Sequence, residues 1–348
     1  MTAKEYTLKT IIYTAIVLIV TAVVVIIVDP FSHYHMPPCK FQAVETDERS
    51  ALIGVAKNSS YDTALIGSSM SENFVDSWFN DGIFGNSTVK ICLQGAHFSD
   101  YKIILDEVIK KPEVKNIVFS FDTYLLTNNP EENPATIPEY LYNDKIIDDS
   151  YYVWNKSVIF RYLPMFIINN IREGFSDDNA YVWADDYGYD KYSARNAYIT
   201  KRPAIVAPMK AYDEFFDYSD QFLNSIIPYI EAREDITFYF YSSPYSMLFW
   251  DNSMRLGNTE AEICALERVM NRLLEYKNVR IFYFQDDFDI ITDISNYRDY
   301  SHFKQDINKY MYECMRDGKK EVTKENYFDT LLNMYEYAVT YDYESLFH

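Results

Sequence analysis

The sequence predicts an α/β protein: a three-layer, doubly wound and mostly parallel sheet of five strands with helices on both faces. Two observations support this fold class. Five short β-type runs alternate along the chain with segments of helical periodicity, and this order is typical of parallel βαβ units. The 348 residues also suffice for one large domain of this kind in addition to a terminal membrane element.

The N-terminal segment is predicted to be a membrane-spanning helix. Residues 11–28 are almost all apolar, follow Lys4 and Lys9, and end at Asp29. A helix of about 20 residues crosses the hydrocarbon layer. A cleaved signal peptide is the alternative, but its apolar run is usually only about 7–15 residues long, and no Ala-x-Ala site follows here.

The two lysines also predict the orientation of this helix, because positive residues beside a span favour the cytoplasmic side. We therefore expect a single-pass protein of the cell membrane whose main domain lies outside the cytoplasm. Residues 1–30 would form a cytoplasmic tip and anchor, residues 31–58 a stem, and residues 59–348 an α/β domain with an insertion at about 125–235.

The five predicted strands are each followed by small or polar residues, and ligands bind at the carboxyl ends of strands in open α/β sheets. Together with the helices between them, they predict a flavodoxin-like arrangement. The strands are Thr63–Gly67, Val89–Leu93, Asn116–Phe121, Thr237–Tyr241 and Val279–Phe284.

Helices are predicted from capping residues and apolar stripes. Residues 259–276 begin with a capping box of Thr259 and Glu262 and continue as an amphipathic helix. A second helix follows His302, with Ser301 as its N-cap, and a third covers about residues 324–341.

The stretch between the third and fourth strands, about residues 125–235, breaks the alternation. It is rich in Tyr, Asp and Asn and contains helical pieces at 158–171 and 211–230. Because binding functions concentrate in segments carried by a rigid scaffold, we expect this insertion to lie over the active face and to determine specificity.

The composition argues against several classes of protein. A net charge of −20 disfavours nucleic acid as a partner, since phosphates require clustered Lys and Arg. The four cysteines form no Cys-x-x-Cys pair, and no His-rich spacing indicates a metal site, so no cofactor is expected. The 33 tyrosines and 23 phenylalanines fit either core packing or stacking on sugar rings.

Ser69 is the candidate nucleophile. It lies in Gly67-Ser68-Ser69-Met70, directly after an apolar strand and before a predicted helix that runs through Phe74. At a helix N-terminus, free N–H groups can also stabilise an oxyanion. The alternative is structural: Ser69 with Glu72 three residues later also fits a capping box.

His302 is the candidate base, because two of the five histidines lie in the stem and one at the last position, which leaves only His97 besides it. In the first turn of the helix predicted after Ser301, its protonated form would be disfavoured by the helix dipole. Asp299, three residues earlier, can accept a hydrogen bond from the other ring nitrogen. His97 is an alternative contact for a substrate or an ordinary residue at a strand exit.

Together these motifs resemble those of the GDSL, or SGNH, hydrolase superfamily. Gly67-Ser68-Ser69-Met70 is similar to its Gly-Asp-Ser-Leu block, and Asp299-Tyr300-Ser301-His302 to its Asp-x-x-His block. The resemblance implies that Ser69 is the nucleophile, His302 the base and Asp299 its orienting partner. It also implies that the backbone N–H groups of Ser69 and Gly95 form part of an oxyanion hole.

The sequence departs from this superfamily at its Gly-x-Asn-Asp block, whose Asn completes the oxyanion hole. Ser120-Phe121-Asp122-Thr123 follows the third strand instead. An ionised carboxylate cannot donate to a negative oxygen, so the third donor is missing, comes from elsewhere, or is a protonated Asp122.

The anchor and outward domain further resemble a branch of the superfamily that modifies cell-surface polymers, including the D-alanine transfer protein of teichoic-acid synthesis and polysaccharide O-acetyl transferases. This resemblance implies transfer or hydrolysis of an acetyl or D-alanyl ester on a surface polysaccharide or polyol, with a membrane acyl-transfer partner. Ser68, Ser243 and Tyr245 are the candidate substrate-binding residues. The alternative is a non-catalytic protein of the same fold that binds or scaffolds surface polymers.

Overall fold

The computed structural model describes residues 2–36, 48–129, 137–171, 178, 181–184 and 187–348. They form two compact units: Met1–Ser60 with Ala135–Tyr181, called the anchor unit below, and Tyr61–Pro134 with Val182–His348, called the sheet unit. The predicted insertion is therefore divided between the two units. Residues 37–47 of the predicted stem lie outside the described residues.

The sheet unit is built on a six-stranded sheet in the order β2-β1-β3-β4-β5-β6. Strands β1 to β5 are parallel to their neighbours, whereas β6 is antiparallel to β5. The predicted α/β class with a mostly parallel sheet is thus confirmed. The strands are β1 (Thr63–Gly67), β2 (Thr88–Cys92), β3 (Asn116–Ser120), β4 (Thr237–Ser242), β5 (Val279–Tyr283) and β6 (Glu321–Val322).

All five predicted strands are present, and each end lies within one residue of its predicted position. Every residue of β1 and β3 is buried, as expected for central strands of a parallel sheet. The predicted count of five strands is wrong because β6 was not recognised. That strand is only two residues long, too short to show an alternating pattern.

The helices of the sheet unit contribute most of its remaining core, and α11 packs against both α9 and α14. They are α3 (Phe98–Val108), α4 (Thr123–Thr127), α8 (Lys191–Ile199), α9 (Phe216–Ala232), α10 (Met247–Arg255), α11 (Thr259–Leu273), α12 (Phe288–Ile291), α13 (Gln305–Asp317) and α14 (Tyr327–Thr340). Short 3₁₀ helices cover Asp76–Phe79, Ile294–Asn296 and Tyr343–Phe347.

The apolar stripe predicted for α11 is buried, but the predicted capping box is absent. Glu262 is instead a buried acceptor, with Ser253 Oγ at 2.6 Å and Asn258 Nδ2 at 3.3 Å. Burial raises the pKa of Glu262, although these two hydrogen bonds oppose that effect.

The anchor unit contains α1 (Ala3–Val28), α2 (Glu48–Asn58), α5 (Glu139–Tyr142), α6 (Ser150–Val153), a π-helix (Val158–Tyr162) and α7 (Leu163–Ile171). Helix α1 is long and apolar enough to cross a membrane. It ends at Asp29, whose carboxylate is buried and accepts hydrogen bonds from the backbone N–H groups of His33, Tyr34 and His35. The polypeptide therefore turns sharply as it leaves the apolar helix.

Candidate active site

Ser69 lies in a turn directly after β1. Residues 69–73 form successive turns, and the first helical residues after them are those of the 3₁₀ helix Asp76–Phe79. The predicted helix at Ser69 and its capping box are therefore wrong. Gly67 permits the tight exit from the strand, because a Cβ atom there would lie 1.9 Å from Ser71 Oγ.

Side chains from other elements satisfy the backbone carbonyls of this turn, which an α-helix would otherwise have paired internally. One donor comes from the predicted insertion, two from α13 and one from β2. The pairs are Trp183 Nε1 to Ser69 O (3.1 Å), Asn308 Nδ2 to Met70 O (2.9 Å), Gln305 Nε2 to Asn73 O (3.0 Å), and the buried Lys90 Nζ to Glu72 O (2.8 Å) and Phe74 O (2.7 Å).

His302 lies beside Ser69 although 233 positions separate them in the sequence. Its Nε2 atom is 2.9 Å from Ser69 Oγ. Its Nδ1 atom is 2.8 Å from Asp299 Oδ2 and 3.0 Å from Oδ1. The expected spatial meeting of these three side chains is therefore observed, with the hydroxyl, the imidazole and the carboxylate in the order that an activated serine requires.

The loop that carries His302 is fixed to the exit of β4. Tyr297 and Phe303 form an antiparallel bridge across the base of the loop. Tyr297 OH donates to Pro244 O at 2.7 Å, and Ser246 Oγ donates to Tyr300 O at 2.7 Å.

The next helix, α13, begins at Gln305 with Lys304 as its N-cap residue. The predicted N-cap role of Ser301 is therefore wrong, and His302 does not lie in a helical turn. No helix starts at Ser301, so a helix dipole from that position does not act on the imidazole.

Asp299 is held in its ionised form. Burial opposes this, but hydrogen bonds from the His302 ring and the backbone N–H groups of His302 and Ser301 lower the pKa of Asp299 well below its usual range. Its side chain is 21% exposed and that of His302 26%, so the pair is sheltered while remaining accessible. Arg298 Nε lies 3.5 Å from the same carboxylate.

Two backbone N–H groups are available near Ser69. In the part of the chain that the structure describes, the N–H groups of Ser69 and Gly95 donate to no protein acceptor. Gly95 has φ of 58°, a left-handed conformation that favours glycine. Both residues line the same cavity as His302, so both N–H groups belong to the wall of one cavity.

Asp122 follows β3 and is 6% exposed. Ser68 Oγ donates to its Oδ2 atom at 3.1 Å. Burial raises the pKa of Asp122, and the hydroxyls of Ser120, Tyr245, Ser68 and Ser243 oppose that effect. The direction of the shift favours a neutral carboxylic acid, which can donate a hydrogen bond.

A cavity of about 530 Å³ brings these residues together. No lysine or arginine lines its described wall, whereas aromatic side chains form much of it. Tyr245 stacks on Phe249 with ring centroids 4.6 Å apart, and Phe249 is parallel to Tyr300. The lining includes Ser68, Ser69, Gly95, Asp122, Tyr124, Tyr245, Phe249, Glu262, Tyr300 and His302.

Two predicted contacts are placed away from the cavity wall. Ser243 is fully buried and lies beside Asp122. His97 is also buried, and its Nε2 atom lies 2.7 Å from Tyr124 OH. Tyr124, the partner of His97, lines the cavity, so one residue separates His97 from the cavity.

Trp183 is a site residue that the sequence interpretation missed. Besides holding the carbonyl of Ser69, its ring packs edge-on against His302 with centroids 5.4 Å apart. Arg298 stacks over Trp183 and Tyr187, at 5.1 and 3.7 Å from the ring centroids. A Trp and a Tyr four positions apart in the predicted insertion were the available signal for this contact.

The arrangement can generate an activated hydroxyl next to free N–H donors, and these are the groups required for attack on an ester carbonyl.

A groove of about 610 Å³ between α9 and α11 contains none of the predicted site residues. Among the described residues, no group of three or more His, Cys, Asp or Glu side chains is placed to hold a metal ion. No model of a known protein family and no curated protein matches this sequence.

Proposed function

We propose that the protein is a membrane-anchored extracytoplasmic serine esterase or acyltransferase that adds or removes an acetyl or D-alanyl ester on a cell-surface polysaccharide or polyol. The observation that carries this proposal is the chain of contacts from Ser69 Oγ through the His302 ring to Asp299. Each contact is 2.9 Å or shorter, within the range of a hydrogen bond that can transfer a proton.

The reaction proceeds through an acyl-enzyme. His302 Nε2 takes the hydroxyl proton as Ser69 Oγ attacks the ester carbonyl, and Asp299 stabilises the imidazolium that forms. The N–H groups of Ser69 and Gly95 donate to the oxyanion. The C–O bond to the leaving alcohol then breaks, and that alcohol takes the proton from His302. Water or a sugar hydroxyl resolves the acyl-enzyme by the reverse sequence.

Membership of the GDSL/SGNH superfamily belongs to the same proposal. The positions of its motifs support it: Ser69 follows β1, Gly95 follows β2 and Asp122 follows β3, all at carboxyl ends of parallel strands. The order of the first five strands is also that of flavodoxin-like sheets. Asp122 in place of the usual Asn is the departure that the proposal has to explain.

The cavity favours an uncharged substrate. Its described wall has an aromatic face suited to sugar rings and two buried carboxyl groups, those of Asp122 and Glu262, without an opposing Lys or Arg. A phosphate-bearing chain would meet no cation there. A neutral polysaccharide or polyol is therefore the acceptor class that we propose.

The location follows from α1 and its flanking charges. Helix Ala3–Val28 is the proposed anchor, with Lys4 and Lys9 on the cytoplasmic side and the sheet unit outside. A membrane protein that delivers the acyl group is the expected partner for a transferase, whereas an esterase needs only water.

A fluorophosphonate probe tests the catalytic proposal. We expect the full-length protein in detergent to be labelled, and Ser69→Ala and His302→Ala to abolish both labelling and turnover of acetylated glycans. The His302→Ala variant should retain its stability within about 1 kcal/mol, as expected for a partly exposed functional residue. Ser345→Ala, a change at an exposed and distant serine, is the matched control. A well-folded protein that is neither labelled nor active would favour the non-catalytic binding protein instead.

A further inference from the structure

The anchor unit contains a second apolar helical run beside α1. The π-helix Val158–Tyr162 continues directly into α7, and the combined segment has Arg161 as its only charged residue. Val158, Tyr162 and Phe166 are buried in the unit. The opposite side of the same helix is apolar as well, although none of the described residues covers it. A helix that is apolar all round belongs in a protein core or in a membrane.

The uncovered side forms one continuous stripe. Its members follow helical spacing along the segment, and Phe160 and Ile171 are each 75% exposed. This lipid-facing stripe, as we name it, consists of Phe160, Pro164, Ile167, Ile168 and Ile171.

Trp154 fixes the depth of this segment relative to α1. Its Nε1 atom donates to Leu18 O at 3.0 Å. Leu18 lies ten residues before the last residue of α1, Val28, and at about 1.5 Å per residue this corresponds to about 15 Å along the helix. A contact at that level lies well inside the hydrocarbon layer if residues 11–28 span it.

A placement of α1 that would leave Trp154 in water is unfavourable. If the membrane surface lay at Leu18, the hydrocarbon layer would contain residues 3–18, only about 24 Å of helix against a thickness of about 30 Å. That shorter segment also includes Lys4, Glu5 and Lys9. Residues 11–28 carry no charge, so the span over residues 11–28, which places Leu18 well inside the hydrocarbon layer, is the favoured one.

We propose that the segment from Trp154 to Ile171 is embedded in the outer half of the bilayer, with the lipid-facing stripe in contact with acyl chains. The inference rests on the proposed anchoring by α1 and not on the catalytic proposal. Its occupant is lipid because the stripe continues an apolar surface that already lies in the membrane. Lys156 and Arg161 are both exposed and can extend their charges to the headgroups.

An embedded second segment restricts the tilt of α1 and fixes the depth of the anchor unit, both of which a single spanning helix leaves free.

Depth-dependent fluorescence quenching tests the inference on the full-length protein. We would reconstitute it in vesicles of phosphatidylcholine and phosphatidylglycerol, with part of the phosphatidylcholine brominated on its acyl chains. The brominated lipid should quench the tryptophan emission, and Trp154→Phe should remove most of that quenching. Trp78→Phe, in the sheet unit, is the matched control and should leave the quenching unchanged.

A second variant keeps the test independent of the Leu18 contact. Adding Ile168→Trp to Trp154→Phe should restore quenching by the same lipid, because position 168 lies on the stripe. Flotation of the protein with the vesicles tests the anchoring separately. Flotation without quenching of either tryptophan would overturn the embedding and indicate that protein covers the stripe, whereas failure to float would overturn both the anchor and the embedding.

Discussion

At the scale of single residues, Asp122 decides how complete the proposed oxyanion hole is. It lines the cavity with Ser69 and Gly95, at the position after β3 where the superfamily has a donor. An ionised carboxylate there would repel the developing negative charge. Burial raises the pKa of Asp122, which favours the neutral acid more than at an exposed aspartate, and only the neutral acid has an O–H to donate.

Replacement of Asp122 by Asn should therefore preserve the donor without the proton equilibrium. Because the pKa of Asp122 is raised in the folded protein, protonated Asp122 makes its full contribution to the free energy of unfolding below the unfolded pKa, about 3.9. That contribution is lost as the pH rises through the folded pKa. We expect Asp122→Asn to be more stable than wild type near neutral pH and to lose this advantage in acid. Urea unfolding at a series of pH values measures the difference.

Asp122→Ala provides the catalytic arm of the same prediction. Without any donor at this position, kcat should fall by about 10²-fold, the usual effect of removing one oxyanion-hole donor, while Asp122→Asn stays close to wild type. A stability difference between Asp122→Asn and wild type that is the same at every pH would show that the pKa of Asp122 is not raised in the folded protein.

The three residues of the proposed triad were predictable because each belongs to a short local motif at the end of a strand or in a loop. Ser69, His302 and Asp299 could be named from the sequence, and their meeting follows from the parallel topology. Trp183 and Lys90 could not. A buried lysine in a strand and a tryptophan in an irregular segment have no local pattern that indicates which carbonyls they will contact.

At the scale of elements, the turn that carries Ser69 is stabilised from outside. Its carbonyls accept from Trp183, from β2 and from α13 rather than from helical N–H groups. Trp183 is the donor closest to the proposed triad, because it contacts the carbonyl of Ser69 and packs on the ring of His302. It is thus a positioning residue that links the insertion to both Ser69 and His302.

Trp183→Phe should separate positioning from packing. The variant keeps an aromatic ring beside His302 but loses the hydrogen bond to Ser69 O, so we expect about 1 kcal/mol of lost stability and a fall of about tenfold in kcat. KM should change little, since the ring is not part of the cavity wall described above. Trp154→Phe, in the anchor unit, is the matched control, and an unchanged kcat in Trp183→Phe would refute the positioning role.

The strands were easier to predict than the helix starts for a related reason. A run such as Asn116–Ser120 is apolar because it is buried on both faces, and that requirement is visible in the sequence. Ser69 and Ser301 have the residue types of N-caps, but tertiary hydrogen bonds give both segments a non-helical backbone. The antiparallel β6 depends entirely on its pairing with β5.

At the scale of the whole molecule, the chain is strongly acidic and the cavity offers no cation in its described wall. The net charge is −20, and the described cavity wall carries no lysine or arginine. Long-range repulsion would thus slow the approach of a polyanion, and the cavity would provide no compensating cation once it arrived. Both effects favour a neutral acceptor.

Salt dependence distinguishes this electrostatic discrimination from a steric preference. At about 10 mM salt the Debye length is about 30 Å, and at about 0.15 M it is about 8 Å. We expect an acetylated neutral glycan to be deacetylated about tenfold faster than an acylated polymer rich in phosphate at low salt, and the ratio to narrow as salt is added. A small neutral ester, turned over at a constant rate across the same range, controls for effects of salt on the catalytic step.

If the polyanion is the better substrate at low salt, a cationic surface outside the described cavity must recruit it, and the proposed acceptor class is wrong. If the ratio does not respond to salt, the preference arises from the shape of the aromatic wall rather than from charge, because only the electrostatic contribution is screened by ions.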